Sequence, residues 1–252
     1  MSLHSPESGL PLAGLSAYSW GMYRYGQFCP IAIASEILAE RWTPLILREL
    51  MMGKSQFNEL KRGLPLISRT LLTQRLRELE EVGLVMRLAK TSGRGYLYQL
   101  TAAGKGVQPI IMQLGEWGRE WIYPEVMKRD LDPGLLMWDI HQRLDTDALP
   151  DVKTVLQFDL RNFPQSLPRT SQSMKRWWMI LEKPDVQLCL TDPGLEVDMV
   201  ISADLYALTR VWMGEVKFQH AVRDGKITLQ GPAALKTGFP RWIRFSVFAR
   251  DK

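Results

Sequence analysis

Near residue 150 the spacing of the apolar residues changes, and this change constrains the fold more than any other feature of the chain. Before it, Leu72, Leu76 and Leu79 fall within about 60° of one another on a helix turning 100° per residue. After it, Leu156, Phe158 and Leu160 alternate with Gln157, Asp159 and Arg161, and Leu195, Val197, Met199 and Ile201 alternate with Glu196, Asp198 and Val200. A helical period and a strand period cannot share one uniform architecture. The pattern therefore predicts a helical first half and a sheet-containing second half, each with its own core. A length of 252 residues is ample for two domains of ordinary size. The expected division is an arm over 1–28, a first domain over 29–124, a linker over 125–150 and a second domain over 151–252.

In the first half the spacing predicts a short buried helix from Ile31 to Ala39. Thr43 is expected to cap a second, with Pro44 at its first position, and Ser55 a third, which Gly63-Leu64-Pro65 stops. Ser68 opens a fourth that runs to Val82 and ends at Gly83, with Thr70, Thr73, Gln74 and Arg77 opposite its leucine stripe. Two strand-like runs follow, Leu84 to Leu88 and Tyr96 to Leu100, joined by the basic, glycine-containing Lys90-Thr91-Ser92-Gly93-Arg94-Gly95. These helices, the third and fourth forming a helix-turn-helix, and a hairpin with a cationic tip make a winged helix. In that arrangement the recognition helix enters the major groove and the wing reaches phosphate or the minor groove.

Charge follows the same division. Residues 61–105 hold nine basic and three acidic side chains, a difference of +6, whereas 125–252 hold 18 and 17. A localised basic surface suits a polyanion or a solvated face, and nucleic acid is the commonest polyanion. The candidate DNA contacts are Arg62, Ser68, Arg69, Thr70, Thr73, Gln74, Arg75, Arg77, Lys90 and Arg94. Arg62, Arg75, Lys90 and Arg94 are expected on phosphate, and Thr70, Thr73, Gln74 and Arg77 on base edges. Thr101 is expected to cap one further helix carrying Val107, Ile110, Leu114, Trp117 and Trp121 at heptad-like steps. Such a seam covers either its own domain or, as its two tryptophans favour, a second copy of the chain.

Residues 29–121 resemble the HxlR family of bacterial transcriptional regulators, winged-helix proteins related to the MarR type. The matching stretches include Cys29-Pro30-Ile31, Arg41-Trp42-Thr43-Pro44-Leu45, Phe57-Asn58-Glu59-Leu60, Leu72-Thr73-Gln74-Arg75-Leu76-Arg77-Glu78-Leu79-Glu80 and Gly115-Glu116-Trp117-Gly118. The resemblance implies a homodimer on a pseudo-palindromic, double-stranded operator, with the first and last helices of the domain forming the interface. Leu71 and Arg69 depart from the family pattern beside the reading face, so base preference does not transfer. Cys29 stands where several family members carry a cysteine that senses oxidants or electrophiles. A structural thiol at the dimer seam is the alternative reading.

In the second half, Asp132-Pro133-Gly134 and Leu135-Leu136-Met137-Trp138 suggest a connector with a short packed helix. The alternating runs predict an antiparallel sheet, and helices capped by Ser202 and started at Gly231-Pro232 would cover one face. The class is α+β. Ala203-Asp204-Leu205-Tyr206, Trp212-Met213-Gly214 and Asp224-Gly225-Lys226-Ile227 are similar to the sterol-carrier-protein-type lipid-binding fold. That resemblance implies an apolar tunnel, with Trp177, Met179, Met199, Leu208, Trp212, Phe218 and Trp242 as candidate lining residues.

No catalytic constellation, metal-ligand spacing or cofactor fingerprint stands in the sequence. An enzyme is not expected. The absence of a long apolar run and of a leader pattern, with only two cysteines, suits a cytoplasmic protein. Three readings follow. The chain is a dimeric regulator modulated by a hydrophobic small molecule or lipid; a hydrophobe carrier whose winged helix serves dimerisation only; or a ligand-free regulator with a structural second domain.

Overall fold

The computed structural model describes residues 25–91, 94–123 and 131–249. Tyr18, Trp20, Tyr23 and Arg24 of the expected arm, Pro124, and Ser92 and Gly93 of the wing tip lie outside them. The chain divides into two compact units between Leu114 and Gly115.

The first unit begins with α1 (Pro30–Leu38), α2 (Thr43–Met51), α3 (Phe57–Gly63) and α4 (Arg69–Glu81). It continues with β1 (Val85–Ala89), β2 (Tyr96–Leu100), α5 (Ala102–Gly106) and α6 (Gln108–Trp121), the last of which crosses the division. The two strands pair antiparallel, from Val85 opposite Leu100 to Ala89 opposite Tyr96. Leu72, Leu76 and Leu79 are fully buried with Ile46, Leu47, Leu60 and Ile67, so the leucine stripe of α4 is the centre of this core.

Local capping departs from the sequence expectation in two places. Thr43 is the first residue of α2 rather than its cap, because Trp42 takes the left-handed conformation (φ 78°) and turns the chain one residue earlier. The Thr43 hydroxyl is buried without a partner. At α3, Ser55 does not cap with its side chain. Instead Glu59 reaches back and accepts the backbone N–H groups of Ser55 (3.1 Å) and Gln56 (2.9 Å). Gly63 lies in the last turn of α3, not beyond it, and a β-carbon there would overlap the buried Glu49 carboxylate. Ser68 caps α4 as expected, accepting Leu71 N–H at 3.1 Å. Thr101 likewise accepts Gly104 N–H at 3.1 Å, but the helix it opens is interrupted at Val107 and resumes as α6.

The second unit contains α7 (Pro133–Gln142), β3 (Thr154–Arg161), α8 (Arg169–Gln172), β4 (Arg176–Glu182), β5 (Asp185–Cys189) and β6 (Met199–Asp204). α9 (Leu205–Trp212), α10 (Phe218–Arg223), β7 (Ile227–Gln230) and α11 (Ala233–Trp242) complete it. The five-stranded sheet has the order β5-β4-β3-β6-β7. Alternation in β3 places Leu156, Phe158 and Leu160 on the face that α7, α9, α10 and α11 cover.

Three features of this unit differ from the sequence reading. The sheet is mixed, because β3 and β6 run parallel, Leu156 standing opposite Met199 and Phe158 opposite Ile201. Alternation reports which face a residue takes and is silent on strand direction. The direction follows from the β4–β5 hairpin and the loop after it, which bring the chain back beside the free edge of β3. Secondly, β6 starts at Met199 and runs to Asp204, so Ser202 lies within the strand and Asp204 caps α9 by accepting Ala207 N–H at 2.8 Å. Thirdly, α11 continues through Pro240 to Trp242. Packing of Phe239 and Trp242 into the core outweighs the one hydrogen bond that proline removes. The stretch 125–150, read as a connector, contributes Leu131, Leu136, Met137, Ile140, Leu144 and Leu149 to the second core.

Candidate nucleic-acid interface

The burial of Leu72, Leu76 and Leu79 fixes the rotation of α4 about its axis. Arg69, Thr70, Gln74 and Arg77 are consequently exposed on the opposite face, while Thr73 is half-buried. The Thr73 hydroxyl donates to the Arg69 carbonyl (2.9 Å), and the Gln74 amide donates to Glu78 (2.9 Å). Arg69 ties α4 to α3, donating to Asn58 at 3.3 Å with its guanidinium 5.7 Å from the Phe57 ring centre. These are surface contacts in high dielectric and are readily exchanged for a base or a phosphate.

Arg75 stands apart from the other candidates. Its guanidinium meets Glu40 at 2.7 Å and Glu78 at 2.6 Å, and its side chain is only 15% exposed. The expected phosphate contact is instead an ion pair joining α4 to the segment after α1. Glu40 was invisible as a partner because it lies 35 residues away in sequence. Replacing Arg75 with alanine is expected to lower the melting temperature of the first unit while leaving the salt dependence of DNA binding unchanged. Thermal melts and binding isotherms at several salt concentrations separate the two effects.

In the wing, Arg94 is exposed and Lys90 donates to the Gln56 side chain at 2.7 Å, tying the hairpin to the start of α3. The sequence reading missed Arg87, whose guanidinium lies 4.5 Å from the Tyr96 ring centre and 3.5 Å from Glu80. Its register opposite Tyr98, two residues from Tyr96 on the same face, was the available signal. Burial pushes the Tyr98 phenol above its ordinary value. Arg62 is exposed at the end of α3.

The apolar seam of α6 is largely uncovered. Ile110, Leu114, Trp117 and Trp121 are 51–65% exposed. Val107 is the exception and belongs to the core of the first unit, together with Ile111. α1 is not the buried helix its apolar sequence suggests, since Ile31 and Ile33 are also exposed and only Ala32 is buried. Cys29 immediately precedes α1, is half-buried and forms no disulfide.

In the second unit, Trp177, Met179, Met199, Leu208, Trp212, Phe218 and Trp242 all lie in one buried cluster, none more than 8% exposed. Phe158, Met137 and Phe239, which the sequence reading did not count among the lining residues, sit among them. The Phe239 ring packs against Phe158, Phe218 and Trp242 at 5.7–6.0 Å between centres. Beside this core, burial raises the Tyr123 phenol strongly, and its hydroxyl has no partner. Among the described residues no group of three or more His, Cys, Asp and Glu side chains is placed to hold a metal ion. No described helix is long and apolar enough to cross a membrane.

A helix-turn-helix with a basic wing, followed by an α+β unit with helices on one face of its sheet, is the architecture of a helix-turn-helix regulator joined to a second, α+β domain. Residues 37–126 match the HxlR-like helix-turn-helix family, and residues 140–241 match the SCP-2 sterol transfer family. The uncharacterised HTH-type transcriptional regulator YvaP of Bacillus subtilis is 38% identical over 104 residues, which are 40% of this chain and 95% of that protein. A second uncharacterised HTH-type regulator, sll1512 of Synechocystis, is 34% identical over 41% of this chain and 77% of its own length. The chain belongs to the HxlR-like helix-turn-helix family of transcriptional regulators, with an SCP-2-type domain following the helix-turn-helix.

Proposed function

We propose that the protein acts as a homodimer on a pseudo-palindromic operator and that the second unit takes up an apolar small molecule that modulates it. The observation that carries the DNA reading is the rotation of α4, which buries the leucine stripe and turns Thr70, Gln74 and Arg77 outward together. Arg77 on guanine, Thr70 and Gln74 on neighbouring base edges, and Arg62, Lys90 and Arg94 on phosphate form the proposed contact set. Arg77→Ala is expected to weaken operator binding by about 1–3 kcal/mol and random-sequence binding by much less. Gel shifts with duplex from upstream of the protein's own gene and with scrambled duplex test this. Equal losses on both make Arg77 a phosphate contact.

The uncovered seam of Ile110, Leu114, Trp117 and Trp121 supports the dimer, since contiguous exposed aromatics mark association surfaces. Cys29, immediately before α1, half-buried and free, is proposed as a structural thiol rather than a sensor. Native-protein labelling no faster than that of a buried control thiol is the expected result.

The effector reading rests on the SCP-2 match and on the aromatic, methionine-containing composition of the second core. The tight burial of all seven candidate lining residues favours a second reading, in which this unit is a structural spacer. Native mass spectrometry decides between them. A retained lipid, or a thermal shift with acyl chains or sterols, supports the effector, and neither supports the spacer.

A further inference from the structure

The near-neutral second half conceals a charge division of its own. Residues 125–215 hold ten basic and fifteen acidic side chains, a difference of −5, whereas 216–244 hold six basic and one acidic, a difference of +5. The six are Lys217, Arg223, Lys226, Lys236, Arg241 and Arg244, and every one is exposed. They also lie on adjoining elements. Lys217 and Arg223 bracket α10, Lys226 follows it with its N–H on the Ala221 carbonyl (2.9 Å), and Lys236 and Arg241 belong to α11. Packing of Phe218 on Phe239, ring centres 5.7 Å apart, holds α10 and α11 side by side. Because their apolar residues face inward to the core, the cations of both helices face out.

Acidic neighbours neutralise little of this face. Arg223 has Asp224 at 3.7 Å, both largely exposed, and Arg244 meets Asp145 at 3.0 Å. Glu215 is turned to Arg210 at 3.0 Å. Lys217, Lys226, Lys236 and Arg241 form no ion pair among the described residues.

We propose that the α10–α11 face is a second DNA-contact surface, which engages backbone phosphates whatever the base sequence. It rests on the DNA-binding reading above. A solvated surface needs no segregation of charge, whereas a segregated one orients in the field of a polyanion. The class of protein to which the chain belongs already supplies that polyanion. A duplex carries one negative charge per roughly 1.7 Å, so a cationic face beside it releases counterions whatever the sequence.

The test compares the full-length protein with Lys217→Gln/Arg223→Gln/Lys226→Gln on a 60-base-pair duplex from upstream of its own gene, titrated by fluorescence anisotropy between 50 and 300 mM salt. A control variant, Arg161→Gln/Arg169→Gln/Lys175→Gln, removes three exposed cations from the same unit outside this face. The first variant is expected to shallow the slope of log affinity against log salt by about 2–3, with affinity near 150 mM salt falling about 10–100-fold. The control is expected to match the unaltered protein. An unchanged slope in the first variant, or the same loss in the control, overturns the proposal. So does an unchanged DNA slope together with lost sedimentation on phosphatidylglycerol-containing vesicles, which assigns the face to anionic lipid. If the unaltered protein does not bind the duplex at 50 mM salt, the DNA-binding reading itself fails.

Discussion

Replacing Leu76 with alanine is expected to destabilise the first unit by about 2–5 kcal/mol, the range for truncating a fully buried leucine whose surroundings relax only partly. Leu76 is 1% exposed and sits between Leu72 and Leu79 on the inward face of α4. The truncation removes the contacts that set the rotation of that helix, so the outward face loses its fixed orientation as well. Since small domains are stable by only about 5–15 kcal/mol in total, the first unfolding transition moves far down in urea or temperature. Thr70→Ala, one turn and a half earlier on the exposed face, is expected to change stability by no more than about 0.5 kcal/mol. Similar effects at the two positions would mean that the leucine stripe does not face the core.

The second large effect is expected at the α6 seam. Trp117→Ala/Trp121→Ala removes two tryptophans that are each more than half exposed in the single chain. Their loss should therefore cost the folded protomer little while costing the dimer much. Buried tryptophans at interface centres contribute about 2 kcal/mol or more each, so losing both is expected to raise the dimer dissociation constant by about 10³-fold or more. Sedimentation equilibrium measures that shift directly. Operator affinity should fall with it, because each chain then meets a half-site alone. A variant that melts early but stays dimeric would place these tryptophans in the protomer's own core.

How much of this was legible beforehand depended on the range of the interactions. The α4 stripe, its Ser68 cap and the wing strands were readable because they are set by spacing within one element, and Leu72, Leu76 and Leu79 are buried accordingly. Arg75 and Val107 were misplaced for the opposite reason. In sequence, Arg75 shares the charge and spacing of the outward residues, and only the fold brings Glu40 to it. Val107 fits the heptad steps of the seam, yet the interruption between α5 and α6 turns it inward. Strand direction in the second sheet was likewise beyond the alternation, which is the same for parallel and antiparallel neighbours. Ser202 looked like a cap because serine favours that position, whereas cross-strand pairing with Asp159 and Thr228 keeps it in β6. Whole-chain charge hid two cationic segments behind an acidic remainder.

The most direct test of the central claim is the stoichiometry and selectivity of DNA binding by the intact protein. Anisotropy titrations on duplex from upstream of its own gene, against a scrambled duplex of equal length, are predicted to show two chains per specific duplex. A preference of about 10³-fold or more at physiological salt is expected, lost in the Trp117→Ala/Trp121→Ala variant. One chain per duplex, or equal affinity for every promoter duplex and its scrambled form, would contradict it.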